Sequence, residues 1–236
     1  MLVKPVKTRI FKQGEDLVDF IARNVKFLHE RDVLAVTSKI VSLAEGRVVE
    51  IKNEKTREKL IKAESQYAMR TPYTWLTIRD GMVMSSAGVD ESNAAGKIIL
   101  LPKDCYKSAA AIRKEMLKRF KLKKLGVLIT DSRLLPLRAG IVGVAMGYAG
   151  FKGQKRYQGT KDLFGRELKV SRTDVADSLA TASVLVMGEG NECQPLAVIS
   201  DAPIEFCEKT NRHELDIDIK EDLYQPLFER IKRIRY

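Results

Sequence analysis

The chain has 236 residues, 44% of them apolar and 31% charged, and its 42 basic and 31 acidic side chains give a formal net charge of +11. That length suits one large domain or two small ones, and the composition is that of a water-soluble chain able to bury a core without staples. The apolar runs 125–130 and 141–151 are too short or too broken by glycine to span a bilayer, and MLVKPVKTRI lacks the apolar stretch of a signal peptide. No membrane partner is expected. Cys105, Cys193 and Cys207 form neither a C-x-x-C pair nor a disulfide framework, which suits a reducing, cytoplasmic setting. The only histidines are His29 and His213, so catalysis would fall to carboxylates, hydroxyls, lysines or a hard metal ion.

In chain order, Leu2–Val6 reads as a strand. Leu17, Ile21, Val25 and Leu28 follow at helical spacing. Asp32–Val36 reads as a short buried strand running into Thr37–Ser38–Lys39 and a short helix that ends near Gly46. Arg47–Ile51 reads as a strand and 54–68 as a charged helix. Thr74–Arg79 and Met82–Ser85 flank Asp80–Gly81, a strong hairpin signal. Residues 106–121 form a basic amphipathic helix, and Leu125–Thr130 is an apolar strand that ends at Asp131. In 138–153 glycines recur every three or four residues without matching a phosphate-binding fingerprint, so close backbone packing, in the core or at a dimer interface, is expected. Thr173 is the predicted N-cap of a helix to Met187, followed by Gly188–Glu189–Gly190. Pro195–Ser200 is a last buried strand, and 221–233 a helix within a C-terminal extension over 205–236. The order of elements predicts an α+β fold rather than a regular βαβ series.

The positive charge is local. Residues 103–124 hold nine basic and two acidic side chains, and 152–172 hold seven and two, so the remainder is close to neutral. Such segments suit a polyanionic partner, or are simply a solvated helix face and loop. The aspartates and glutamate that could carry chemistry fall at element ends. Asp90 follows the hairpin, Asp131 and Ser132 follow a strand, and Glu189 sits between two glycines. Carboxylates so placed, without a nearby histidine, suit Mg²⁺ or Mn²⁺, although each alone could equally cap a turn or a helix.

The segments VLAVTSKIVSLAEGRVV (33–49), SSAGVDESNAAGKIILLP (85–102), VLITDSR (127–133), GVAMGYAGFK (143–152), the run 157–190 and PLAVIS (195–200) resemble the coenzyme F420-0:γ-glutamyl ligase family in order and spacing. The resemblance implies an α+β fold of two lobes forming a single catalytic unit over 1–236, intertwined as a homodimer. It implies a ligase that consumes GTP or ATP, releasing the diphosphate and phosphate, and joins L-glutamate to a carboxylate. Two divalent ions, Mg²⁺ or Mn²⁺, are implied. Asp90 and Asp131 would hold the first, and Ser132 and Glu189 the second. Ser38, Lys39, Asn93 and the loop around Gly188 and Gly190 would contact the nucleotide, with a weaker match at Thr8–Phe11.

Two features depart from the family pattern. Leu43 stands where a second lysine is common. The run Asp131–Ser132–Arg133–Leu134–Leu135–Pro136–Leu137–Arg138 replaces the usual Asp-Thr-x-Gly-Arg-x-x-Arg and resembles a folate-associated subgroup. A folate tail is therefore slightly favoured over F420-0 as acceptor. Lys155, Arg156 and Arg166 are candidates to bind its carboxylates. A histidine-poor site is adequate for this chemistry, because an acyl phosphate needs charge neutralisation and no protein nucleophile. A basic module binding nucleic acid is the alternative. It is disfavoured by the few aromatics interleaved with the basic residues, and no nucleic acid is expected as partner.

Overall fold

The structure, a computed structural model, describes residues 1–50 and 53–228. Its elements are β1 (Leu2–Val6), α1 (Leu17–Asn24), β2 (Val33–Thr37), α2 (Ser38–Ala44), β3 (Val48–Val49), α3 (Glu54–Ala63), β4 (Tyr67–Arg70), β5 (Trp75–Arg79), β6 (Met82–Ser85), β7 (Ile98–Ile99), α4 (Cys105–Phe120), β8 (Gly126–Leu134), β9 (Ile141–Ala149), β10 (Gln154–Arg156), β11 (Arg172–Asp174), α5 (Val175–Met187), β12 (Leu196–Ser200) and α6 (Gln225–Phe228). This is the α+β arrangement expected.

The main sheet has the order β1-β12-β2-β8-β9. Only β2 and β8 run parallel; the other neighbours are antiparallel. Both faces are covered, which is why β2 and the start of β8 read as unbroken apolar runs rather than alternating ones. Leu34, Val36, Val127 and Ile129 pack under α1 and α4, with Ile21, Ile112 and Met116. Val33 and Leu128 face the other way, onto Ala176, Leu179 and Ala180 of α5. A separate cluster, Ile61, Trp75, Val89, Ile98 and Leu100, holds together the segment between α2 and α4.

The glycine-rich stretch is β9, and its glycines mark where helices press on its backbone. A Cβ at Gly147 would lie 2.6 Å from the Cys105 carbonyl carbon and 2.7 Å from Tyr106 N, in the first turn of α4. At Gly143 it would lie 2.6 Å from the Ala180 carbonyl carbon of α5. The close packing expected here lies inside the core.

Several boundaries differ from the sequence reading. The strand predicted to stop at Asp131 continues to Leu134, because β9 pairs along it beyond a register shift between Ile129 and Thr130. Asp131 is therefore inside a strand, opposite Val144. Asp174, not Thr173, caps α5, accepting the Asp177 N–H at 2.9 Å; Thr173 is taken up in β11, opposite Lys155. The helical spacing that runs on to Leu28 outlasts its helix, since Val25 turns extended and ends α1 at Asn24. The charged helix over 54–68 stops at Ala63, and Tyr67 pairs with Ile78 instead. Of the strand read over Arg47–Ile51, Val48–Val49 is extended, and Ile51 lies outside the described residues. The helix read over 221–233 is a single turn at Gln225–Phe228 in its described part, and 229–233 lie outside it. Among the described residues, no helix is long and apolar enough to cross a membrane.

Candidate active site

Three segments far apart in sequence line one cavity of about 340 Å³: Asp90 and Ser92 after β6, Asp131, Ser132 and Arg133 on β8, and Glu189 after α5. Met82, Met84 and Met146 line the same cavity, so it pairs an acidic region with an apolar one. The backbone is forced into shape just before Asp90. Ser86, Ala87 and Gly88 all have left-handed φ angles of 50°, 53° and 68°. Two non-glycine residues in that region are unusual and need support from their surroundings. The Thr77 hydroxyl accepts the Ala87 N–H at 2.8 Å, and Arg79 donates to the Ala87 carbonyl at 3.1 Å. Asp90 itself is tied to Ile99 by a pair of backbone hydrogen bonds of 3.1 and 2.9 Å.

The Asp90 carboxylate accepts the Ser92 N–H at 2.7 Å and the Ser92 hydroxyl at 2.8 Å. Lys39, on α2, places its Nζ 2.8 Å from Asp90 Oδ2 and also donates to the Ser92 carbonyl and hydroxyl. Burial works against the charge on Asp90. The Lys39 ammonium and the Ser92 donors outweigh it and hold the carboxyl below its ordinary value.

Asp131 is the opposite case. Burial pushes its carboxyl up to about 6, and repulsion from Asp90 adds to the rise. The Ser132 N–H, which donates to Oδ1 at 2.8 Å, the Lys39 charge and the buried Ser38 hydroxyl oppose the rise without cancelling it. Glu189 is also raised, first by burial and then by Asp90 and Glu192, against the pull of Lys39 and the Ser132 hydroxyl. Lys39 thus acts on all three carboxylates.

The loop 187–194 is joined to the Asp90 loop by Asn93, whose Nδ2 donates to the Gly190 carbonyl at 3.1 Å. Glu192 accepts the Gly190 N–H at 2.8 Å, and a Cβ on Gly188, with φ 79°, would lie 2.7 Å from both oxygens of that carboxylate. The Thr8 N–H reaches the Cys193 carbonyl at 2.8 Å, so the N-terminal stretch lies against the same loop. Leu43, in the place of the second lysine, packs against the core.

Asp90, Asp131, Ser132 and Glu189 thus line one cavity, Lys39 and Ser38 contact its aspartates, and Asn93, Gly188 and Gly190 lie in the two loops that carry Asp90 and Glu189. Lys155, Arg156 and Arg166 do not line the cavity. They are exposed on and after β10; Lys155 Nζ lies 5.2 Å from the centre of the Tyr157 ring, and Arg156 Nε donates to Gln154 at 2.9 Å. Arg57, Ser92, Arg133 and Asp177 do not stand out in the sequence. Ser92 carried a faint signal, since Asp-x-Ser is the pattern of a side chain closing a turn on its own backbone. Arg133 and Asp177 meet at a sequence separation of 44, which no local pattern reveals.

The donors are oxygens, the ligand type that a hard divalent cation takes. Carboxylates and a hydroxyl share the cavity, and their mutual repulsion is relieved by positive charge. Among the described residues, no three acidic, histidine or cysteine side chains are grouped so that they could hold a metal ion. Here Lys39 supplies the positive charge beside Asp90.

Residues 5–74 and 60–201 match the family model described as F420-0:Gamma-glutamyl ligase. A protein of Methanopyrus kandleri named coenzyme F420:L-glutamate ligase is 36% identical over 216 residues, covering 83% of this chain and 85% of its own length. Proteins of the same name from Archaeoglobus fulgidus and Methanosarcina mazei are 35% and 29% identical, over 80% and 93% of this chain and 83% and 90% of theirs.

Proposed function

Because the chain belongs to the F420-0:γ-glutamyl ligase family, we propose that it adds L-glutamate to the carboxylate tail of a small acceptor at the expense of GTP or ATP. The observation that carries this reading is the single cavity shared by Asp90, Asp131, Ser132 and Glu189, with Lys39 against Asp90. Asp90 and Asp131 would hold one Mg²⁺ or Mn²⁺, and Ser132 and Glu189 a second. Such ions neutralise the charge on a phosphoryl group in transfer. Lys39 and Ser38 contact the phosphates from α2, and Asn93 with the loop at Gly188 and Gly190 holds the nucleotide.

The acceptor carboxylate attacks the γ-phosphorus, giving an acyl phosphate and the nucleoside diphosphate. The amine of L-glutamate then attacks the acyl carbon, loses a proton and expels inorganic phosphate. The relatives' names support F420-0 as acceptor. The run Leu134–Arg138 supports a second reading, a folate, and Lys155, Arg156 and Arg166 would supply a positive field for either tail. A homodimer is part of the proposal, supported by the exposed apolar side chains of Leu134, Leu137 and Leu185.

The test offers the protein L-glutamate, Mg²⁺ or Mn²⁺, each triphosphate, and either F420-0 or tetrahydrofolate. Mass spectrometry should show glutamyl units added to one acceptor, dependent on metal and nucleotide. No addition to either acceptor would reject the reading.

A further inference from the structure

The cavity that holds Asp131 shares Arg133 with a second, shallower cleft of about 490 Å³, lined by Gly143 of β9 and by Asp174, Asp177, Ser178 and Thr181 at the start of α5. Arg133 lies two residues beyond Asp131 on the same strand. Its Nη2 donates to Asp177 Oδ2 at 2.7 Å. The other oxygen of Asp177 accepts the Ala145 N–H at 2.9 Å, so this carboxylate is fixed on both sides and orients the guanidinium.

The charges in the cleft do not balance. Arg133 faces two carboxylates, Asp177 and Asp174, and partial desolvation together with the charge of Asp177 raises the carboxyl of the exposed Asp174 above its ordinary value. The cation is also incompletely used. Arg133 Nε is shut off from solvent and has no hydrogen-bond partner among the described residues. Arg57, the other arginine lining the Asp131 cavity, is ion-paired with Glu91 at 2.9 Å and Glu54 at 3.7 Å, and its buried Nε likewise has no hydrogen-bond partner among the described residues. A guanidinium and the Asp174 carboxylate lining one cleft are complementary to a ligand with both signs of charge.

We propose that this cleft is the binding site for a free α-amino acid, its carboxylate on Arg133 and its ammonium on Asp174. The identification of that amino acid as L-glutamate rests on the ligase reading. The position suits that role, because the cleft adjoins the cavity of Asp131 through the shared Arg133. Asp177 is then a positioning residue.

Titration calorimetry on the full chain, without nucleotide, tests this with two probes: L-glutamate, and N-acetyl-L-glutamate, which lacks the ammonium. Asp174→Asn keeps a residue that caps helices well and removes only the charge. Arg133→Lys keeps the charge and removes the fork, and Arg133→Gln removes both. Circular dichroism and thermal melting report whether each variant is folded. L-glutamate should bind the wild type at least tenfold more tightly than N-acetyl-L-glutamate does. Asp174→Asn and Arg133→Gln should each weaken L-glutamate at least tenfold, and Arg133→Lys should fall between; if Arg133→Gln does not fold, Asp174→Asn and Arg133→Lys decide.

Failure of the wild type to bind L-glutamate, unchanged affinity in the folded variants, or equal binding of the acetylated probe would overturn the proposal. The product assay is separate. A chain that binds L-glutamate here but forms no glutamyl product defeats only the ligase reading. A working ligase whose glutamate affinity ignores Asp174 and Arg133 defeats only this one.

Discussion

Lys39 and Asp90 meet at 2.8 Å across 51 positions of sequence, and the Lys39 ammonium is the positive charge felt by Asp90, Asp131 and Glu189 alike. A lysine in that place competes with a cation for Asp90 and, once released, is free to meet a phosphate. The two roles separate in Lys39→Met. Mn²⁺ binding, followed by electron paramagnetic resonance, should be retained or tightened, because Asp90 loses its competing partner. Nucleotide affinity should fall tenfold or more, the scale of losing one charge-assisted contact. Loss of Mn²⁺ binding with nucleotide binding intact would reverse the assignment.

Asp131 links function to a stability cost. Its folded pKa of about 6 lies above the value of an unfolded aspartate, about 3.9. Its contribution to stability is therefore fully present below about pH 4 and is lost as the pH rises through about 6. Chelator-treated protein should lose stability from this group between those values. Asp131→Asn should flatten that part of the melting profile while cutting turnover at least a hundredfold, the scale of lost transition-state charge stabilisation. Near-normal turnover in the variant would remove Asp131 from the mechanism.

Much of this site was legible because its residues sit in contiguous motifs. SSAGVDESN, VLITDSR and VMGEG carry Asp90, Asp131, Ser132 and Glu189, and the fold gathers them at one cavity. What was not legible depends on pairing between distant segments. After Asp131 the apolar run gives way to Ser132–Arg133–Leu134, and its pairing with Ile141–Val144 keeps it a strand. That pairing aims Arg133 at Asp177. Charge density was equally silent about place: the run 152–166 is as basic as its composition promised, yet Lys155 and Arg156 extend from a small hairpin away from the cavity lining.

The glycine spacing in β9 makes a test of packing. At Gly147 a side chain would strike the backbone of Cys105 and Tyr106, which cannot rotate out of the way. Overpacking of this kind costs about 1–3 kcal/mol or more. Gly147→Val should therefore give insoluble protein, or soluble protein with a markedly lower melting temperature. A soluble variant with an unchanged melting curve would show that α4 yields at this point.

The last expectation concerns Lys155 and Arg156, which line no part of the cavity and can act on an acceptor only through their field or through a tail long enough to reach them. Each glutamate added to a tail brings one more negative charge, so a fixed positive patch should favour longer tails. Salt should erase that preference over a Debye length of about 8 Å at physiological ionic strength. Replacing both residues by alanine should raise the apparent KM for the acceptor more than for the nucleotide. The gap should widen with tail length at low salt and close at high salt. Steady-state kinetics with acceptors carrying one to several glutamates provide the measurement. An effect confined to the nucleotide would assign the patch to the triphosphate, and no effect on either would make it a solvated surface, as its exposure and its local contacts with Tyr157 and Gln154 would then suffice to explain.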